Sequence, residues 1–218
     1  MAVARIDPAR YERWYHTRRG RWIARREFAV MRALLRPERG QSLLDVGCGT
    51  GHFSRLFCGA GPDVTGIDAD PFMLACAQAQ GDDVTYVQAT AMALPIKSRS
   101  VDWAVAITSL CFVDDPGRAL EELWRVARQG VLLGLLNRDS LLHRDKAGRG
   151  GYAGARWDRL SDVHAWSERL DPPVGRQRVR TAVVLPSGDR HARLVERVLP
   201  STFPWGGFLA VCLDKHAA

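Results

Sequence analysis

No run of this 218-residue chain is apolar enough to span a bilayer. The longest nearly uncharged stretch, Trp103–Val113, falls well short of the roughly 20 residues a membrane helix needs. The opening MAVARIDPARYERWYHTRRGR has no apolar core of a secretory leader, and Asp7 and Glu12 argue against an acid-poor mitochondrial presequence. The cysteines Cys48, Cys58, Cys76, Cys111 and Cys212 are scattered, odd in number and form no C-x-x-C. They exclude a disulfide framework and a structural zinc site, and the expected compartment is a reducing cytoplasm. His16, His52, His143, His164, His191 and His216 show no H-x-x-x-H pair, so no metal is expected. Lysine is scarce too: of 31 basic residues only Lys97, Lys146 and Lys215 are not arginine. The arginines are spread singly without a recognised binding module, so nucleic acid is not an expected partner despite a net charge of +7.

What remains is an ordinary globular composition, 46% hydrophobic and 25% charged, which excludes collagen-like, disordered and solenoid chains. The length fits a single domain over 1–218. Charge divides it: residues 1–40 hold 11 basic against 4 acidic side chains, residues 41–137 hold 6 against 11, and residues 138–218 hold 14 against 9. Residues 10–35 read as one long helix with Ile23, Val30, Met31 and Leu34 on a single face, stopped by Pro37 and Gly40, which makes 1–40 a helical cap. From Ser42 a short apolar run, a turn and a helical stretch repeat. Strands are predicted at Leu43–Val46, Val64–Ile67, Val84–Val87, Asp102–Thr108 and Val131–Leu136. Helices are predicted over 50–57, from Pro71, and over 116–127. This alternation predicts an α/β fold: a doubly wound, mostly parallel seven-stranded sheet with helices on both faces. Residues 42–137 carry this alternation. Residues 138–160 are polar, basic and too long for an ordinary connection, and read as an insertion or lid. Residues 161–218 complete the sheet with a helix capped by Ser161, strands at Arg178–Leu185 and Gly207–Leu213, and a helix between them. These two late strands are expected to end the sheet, with the last inserted beside its predecessor.

The chemistry-bearing stretch is Leu43-Leu44-Asp45-Val46-Gly47-Cys48-Gly49-Thr50-Gly51. Three glycines after a strand allow a sharp turn and close approach of a ligand, and the helix that follows faces the same crevice with unpaired N–H groups. A dinucleotide site would want G-x-G-x-x-G, but position 52 is His and the spacing is G-x-G-x-G. Asp45 beside the loop disfavours a pyrophosphate and suits an ammonium group. Asp68 ends the second strand, where a carboxylate can accept both ribose hydroxyls. A nucleoside bearing an amino-acid cation and no phosphate is S-adenosylmethionine. Taken singly, Asp45 and Asp68 could be plain turn carboxylates; their spacing around the glycines favours the ligand reading.

LLDVGCGTG, VTGIDADPFML, QATAMALPIKSRSVDWAVA and SLCFVDDPGRALEELWRVARQGVLLGLLN together resemble the class I S-adenosylmethionine-dependent methyltransferases, especially the small-molecule ubiquinone/menaquinone-type branch. The likeness covers residues 42–137. It implies that Asp45, Gly47, Cys48, Gly49, Thr50 and Gly51 hold the cofactor's amino-acid end, that Asp68 holds the ribose, and that Ala69 and Met73 flank the adenine. Three departures stand out. The acid often facing the adenine amino group is Thr90, leaving that task to its hydroxyl or to the Ala91 and Met92 backbone. The usual Pro-Gly-Gly before the fifth strand is shortened to Arg128-Gln129-Gly130. A common histidine after the fourth strand is Cys111. Thr108, at the end of that strand, is the last cofactor candidate.

The resemblance implies methyl transfer to a small-molecule acceptor by direct in-line displacement, with no metal and no covalent intermediate. The acceptor is expected between the first helix, residues 108–112 and the insertion, against Tyr11, Tyr15, Cys111, Phe112 and Asn137. Tyr15, Glu27 and Asp114 are the candidate general bases. Tyr11, Trp14 and Tyr15 could equally be core aromatics, and Glu27 could instead pair with a neighbouring arginine. Alternatives are an RNA or protein methyltransferase, disfavoured by the absence of an N/D-P-P-Y/F motif at Thr108–Cys111, and a cofactor-binding regulatory module. The oligomeric state is not legible.

Overall fold

The computed structural model describes residues 7–81 and 83–215, so His216 lies outside the described residues. Seven strands form one sheet: β1 (Ser42–Val46), β2 (Asp63–Asp68), β3 (Thr85–Gln88), β4 (Val101–Ile107), β5 (Ala127–Leu136), β6 (Arg176–Ala182) and β7 (Phe208–Asp214). Their order is β3-β2-β1-β4-β5-β7-β6. The first five strands pair in parallel, and β7 runs antiparallel between β5 and β6. The order reverses at β1, so the crevice beyond the carboxyl ends of β1 and β4 is the place such a sheet offers a ligand.

Both faces are covered because alternate strand residues serve opposite sides. Leu43, Trp103, Val105, Leu132 and Cys212 join α2 (Arg18–Leu35) and α3 (His52–Cys58) through Met31, Leu34, Phe53 and Phe57. Leu44, Ala104, Leu133 and Val211 face α5 (Pro116–Val126), whose Leu120, Leu123 and Trp124 are fully buried. α4 (Pro71–Gln78) and α5 begin on an Asp-Pro pair, Asp70-Pro71 and Asp115-Pro116, whose carboxylate caps the first turn while proline needs no N–H partner there.

The single helix expected over residues 10–35 is two. α1 (Pro8–Tyr15) ends at His16, and Thr17 starts α2 by accepting a hydrogen bond from the Gly20 N–H. The hydrophobic period carries through the break, so it hid the Thr17 cap. A Cβ at Gly20 would sit 2.0 Å from the Trp14 carbonyl oxygen, so glycine lets the two helices turn this tightly. Ser161 is not a cap either: α7 (Leu160–Ser167) starts one residue earlier, and Asp162 in its first turn accepts from the Arg159 N–H. β5 begins at Ala127, so Arg128-Gln129-Gly130 is strand rather than connection. Residues 138–160 contain α6 (Leu141–Lys146) and a 3-10 turn at Gly150–Tyr152. α8 (Arg190–Val198) fills the crossover between β6 and β7. Among the described residues no helix is long and apolar enough to cross a membrane.

Candidate active site

β1 ends directly in the glycine turn. Gly47, Gly49 and Gly51 hold φ of +76°, +55° and +77°, which β-carbon-bearing residues adopt at a cost. Space adds to the restriction: a Cβ at Gly47 would lie 2.2 Å from the Ser109 Cβ, and one at Gly51 would lie 2.2 Å from the Tyr86 hydroxyl. The Gly47 and Cys48 N–H groups both donate to the Ile67 carbonyl, at 2.7 and 2.9 Å, tying the turn to β2.

Two carboxylates flank this turn in different environments. Asp68, half-buried, accepts the Gly49 N–H at 2.8 Å and the Asp70 N–H at 2.9 Å, one on each oxygen. Each oxygen keeps acceptor capacity for a second donor. Asp45 is only 1% exposed. Its Oδ2 accepts the Ser54 hydroxyl at 2.6 Å, while its Oδ1 is buried with no partner. Burial pushes its carboxyl up to about 7, opposed by the Ser54 bond and reinforced by the charge of Asp68. An unpartnered buried carboxylate oxygen is a vacant acceptor for a cationic donor.

The other expected cofactor residues follow the carboxyl ends of β2, β3 and β4. Ala69 is exposed and Met73 half-buried at the start of α4. Thr90 is exposed and accepts the Met92 N–H at 3.4 Å, with Ala91 half-buried beside them. Thr108 carries φ +47°, an unusual conformation for a β-branched residue, where β4 leaves the sheet. The next residue, Ser109, donates its hydroxyl to the Val46 carbonyl at 2.8 Å, so β4 buttresses the glycine turn.

A residue the sequence did not single out holds α1 over the turn. Glu12 is buried and accepts the Thr50 hydroxyl at 2.5 Å and the Arg55 guanidinium at 2.7 Å; Arg55 also donates to the Thr50 carbonyl at 2.8 Å. Tyr15 stacks on His52 with ring centroids 3.7 Å apart, and its hydroxyl meets that of Tyr11 at 2.9 Å. Burial lowers His52 to about 4, so it is a neutral ring at neutral pH. Burial likewise raises Tyr11 to about 12 and Tyr15 well above the ordinary phenol value, so both stay protonated. Tyr11 lies beside Gly49, where an added Cβ would stand 3.8 Å from its Cε1.

The insertion reaches the same region. Arg156 donates to the Leu110 carbonyl at 2.7 Å, the Val113 carbonyl at 3.0 Å and the Asp158 carboxylate at 2.6 Å. Its own N–H donates to the Cys111 carbonyl at 2.9 Å, clamping the root of the insertion to the end of β4. Cys111 is buried beside Leu142 and Trp157, with Tyr152 packed on them, and burial pushes its thiol up to about 12. That is opposite to what a nucleophilic cysteine requires. Glu27, half-buried on α2, is raised to about 8 by burial. Burial is the main cause of the raised Tyr11, Tyr15 and Tyr152 phenols, and the charge of Glu27 adds to it. The arginine pairing open to Glu27 in the sequence is not made among the described residues: Arg26 contacts Glu196, at 3.6 Å between side chains, and Arg19 donates to the Pro186 carbonyl at 2.7 Å. Asp114 and Phe112 are exposed on the turn before α5. Asn137 is buried, with its amide N–H groups on the Pro204 and Gly206 carbonyls and its oxygen on the Asp139 N–H, so it ties its own turn to the loop before β7.

Replacing Glu12 with alanine removes the acceptor of Thr50 and the partner of Arg55. Hydrogen bonds to charged groups contribute about 1.5–3 kcal/mol each. The expected outcome is a clear drop in melting temperature together with faster proteolysis across residues 8–17. Unchanged cleavage of that segment would show that Glu12 does not fasten α1.

Comparison with known proteins places these features. Residues 44–135 match the family described as a methyltransferase domain. Over 101 residues the chain is 39% identical to a malonyl-[acyl-carrier protein] O-methyltransferase of Pectobacterium atrosepticum, covering 46% of this chain and 40% of that protein. An uncharacterised protein of Mycobacterium bovis is 31% identical over 171 residues, 74% of this chain and 57% of its own length. The chain thus spans well under two thirds of these curated relatives. A Thermotoga maritima S-adenosylmethionine-dependent methyltransferase, named as a possible histamine N-methyltransferase, superposes with a TM-score of 0.75 at 26% identity, covering 95% of each chain. The strand order and the acid-flanked glycine turn agree with these matches: residues 44–135 match a methyltransferase-domain family, and the fold is that of the Thermotoga maritima S-adenosylmethionine-dependent methyltransferase.

Proposed function

We propose that the chain transfers a methyl group from S-adenosylmethionine to a small-molecule acceptor. The observation that carries this reading is the buried Asp45 Oδ1, a carboxylate oxygen without a partner beside a turn that only glycines can make. S-adenosylmethionine supplies the methyl as an already activated substituent of a sulfonium. Asp45 receives the ammonium group, directly or through an ordered water. The backbone of Gly47, Cys48, Gly49, Thr50 and Gly51 lies along the amino-acid end, and Thr108 borders it from β4. Asp68 accepts the ribose hydroxyls, while Ala69, Met73, Thr90, Ala91 and Met92 enclose the adenine.

The remaining work is positioning. Holding donor and acceptor about 3–3.5 Å apart and aligned recovers several kcal/mol of the barrier. Tyr11 over the glycine turn and the clamped insertion over the end of β4 exclude water and orient the acceptor. Residues 138–160 act here as a lid over the single domain. The ubiquinone/menaquinone-type branch fits a small acceptor of this kind, and the carrier-bound malonyl group named for the Pectobacterium relative is the competing acceptor class.

Calorimetry tests the donor site. S-adenosylmethionine or its demethylated product should bind in the micromolar range and NADH should not; NADH binding without the former would contradict the proposal. Asp68→Ala should weaken cofactor binding by about 10–100-fold, the equivalent of charged hydrogen bonds of 1.5–3 kcal/mol.

The raised Asp45 adds a pH signature. Near its value of about 7 the empty site is partly protonated, whereas the ammonium favours the ionised carboxylate. Affinity should therefore fall as pH drops below that value, approaching about tenfold per pH unit. Proton release should accompany binding, and Asp45→Asn should abolish both effects. A flat pH profile in the native protein would remove Asp45 from the cofactor's ammonium.

A further inference from the structure

The run Arg176-Gln177-Arg178-Val179-Arg180 of β6 places an arginine at every second residue. Alternation sets all three on one face of the strand, at intervals of roughly 6.4–6.8 Å. That face is the α2 side, because Arg178 donates to the Leu34 carbonyl in the last turn of α2. β6 is also the outer strand of the sheet. A groove of about 370 Å³ opens there, lined by Arg176, Arg178 and Arg180, by Arg36 just past the end of α2, and by Thr202 from the connection between α8 and β7. Its volume falls within the roughly 300–1,000 Å³ of small-molecule sites.

The four arginines are not equivalent. Arg178 is the frame: besides its bond to Leu34, it donates to the two oxygens of the Asp214 carboxylate at 2.9 and 2.7 Å. Arg180 donates to the Ser201 hydroxyl, a neutral partner. Among the described residues Arg36, Arg176 and Arg180 form no ion pair, and no acidic side chain lines the groove. Charges on an outer strand guard it against pairing with another chain. That role does not account for a fourth arginine brought by α2 and a hydroxyl brought by the connection after α8.

Three uncompensated guanidiniums around one concavity repel one another, and an anion of several charges relieves that repulsion. The planar guanidinium fork grips phosphate oxygens in pairs. One phosphate group carries about 1.5–2 negative charges at neutral pH, so two linked phosphates come closest to balancing three arginines. No aromatic ring lines the groove, so it offers no stacking platform for the bases of a nucleic-acid strand.

We infer that the groove between β6 and the end of α2 binds a small molecule carrying two linked phosphates, gripped by Arg36, Arg176 and Arg180 with the Thr202 hydroxyl as a further donor. The site is separate from the glycine turn: β6 stands four strand positions from β1, about 19 Å across the sheet. A ligand there bridges α2 and β6 and stabilises the native chain by mass action.

The test uses the full chain in metal-free buffer with three probes: pyrophosphate, inorganic phosphate and citrate. Calorimetry should show pyrophosphate binding at least about tenfold tighter than either of the others, and pyrophosphate should raise the melting temperature. Arg176→Gln and Arg36→Gln, both at exposed side chains, should each weaken pyrophosphate by about 10–100-fold while the melting temperature of the free chain stays unchanged. Arg21→Gln, an equal loss of charge at an exposed position about 22 Å along α2 from Arg36, should leave the affinity as it is. Saturating S-adenosylhomocysteine should not displace pyrophosphate. Absence of pyrophosphate binding would overturn the inference, as would equal or tighter binding of citrate or inorganic phosphate. The same holds for an affinity that Arg21→Gln lowers as much as Arg176→Gln does. Displacement by S-adenosylhomocysteine would put the phosphates at the glycine turn, and binding of oligothymidylate without pyrophosphate would make the face a nucleic-acid surface; either result contradicts the diphosphate groove.

Discussion

A carboxylate buried without a full set of partners is costly, and Asp45 is such a group at the point where β1 turns into the glycine loop. The surrounding architecture explains how it is tolerated. Ser54, one turn into α3, supplies one hydrogen bond, and the carboxyl's raised proton affinity neutralises part of the charge. A cationic ligand end would complete the set. The same constraint keeps the loop backbone close: Asp68 on β2 holds the Gly49 N–H, and Ser109, just past the end of β4, fills the space a side chain at Gly47 would need.

α1 and the insertion are remote in sequence from the glycine turn, and polar contacts fasten both near it. Glu12 links α1 to Thr50 and Arg55, and Arg156 links the insertion to the carbonyls after β4. The first link ties α1 to the glycine turn, and the second ties the insertion to the segment that follows β4. A change at the turn thus has a direct route to α1 through Thr50. Burial is the largest cause of the raised proton affinities of Glu27, Tyr11 and Tyr15.

The parallel core was legible because its signals are local. Each strand is a short apolar run closed by Gly or Asp, and α4 and α5 announce themselves by Asp-Pro. The placing of Asp45 and Asp68 on either side of the glycine turn was readable for the same reason, since a fixed spacing between consecutive strands sets their geometry. The helix break at Thr17 was masked by hydrophobic positions that continue in register on both sides. Glu12 gave no signal because its partners lie 38 and 43 residues away in sequence, a pairing that exists only once α1 crosses the loop. Tyr152 was equally silent within a Gly-rich, basic stretch. Asn137, expected to face the acceptor, instead satisfies carbonyls of the turn before β7, a demand invisible before the chain returns to the sheet.

The most direct measurement is a crystal structure of the chain with S-adenosylhomocysteine bound. The account predicts both ribose hydroxyls at about 2.6–3.2 Å from the Asp68 carboxylate, and the ammonium nitrogen bonded to Asp45 directly or through one ordered water. A nucleoside lying away from Asp68, with Asp45 Oδ1 still unpartnered, would contradict it.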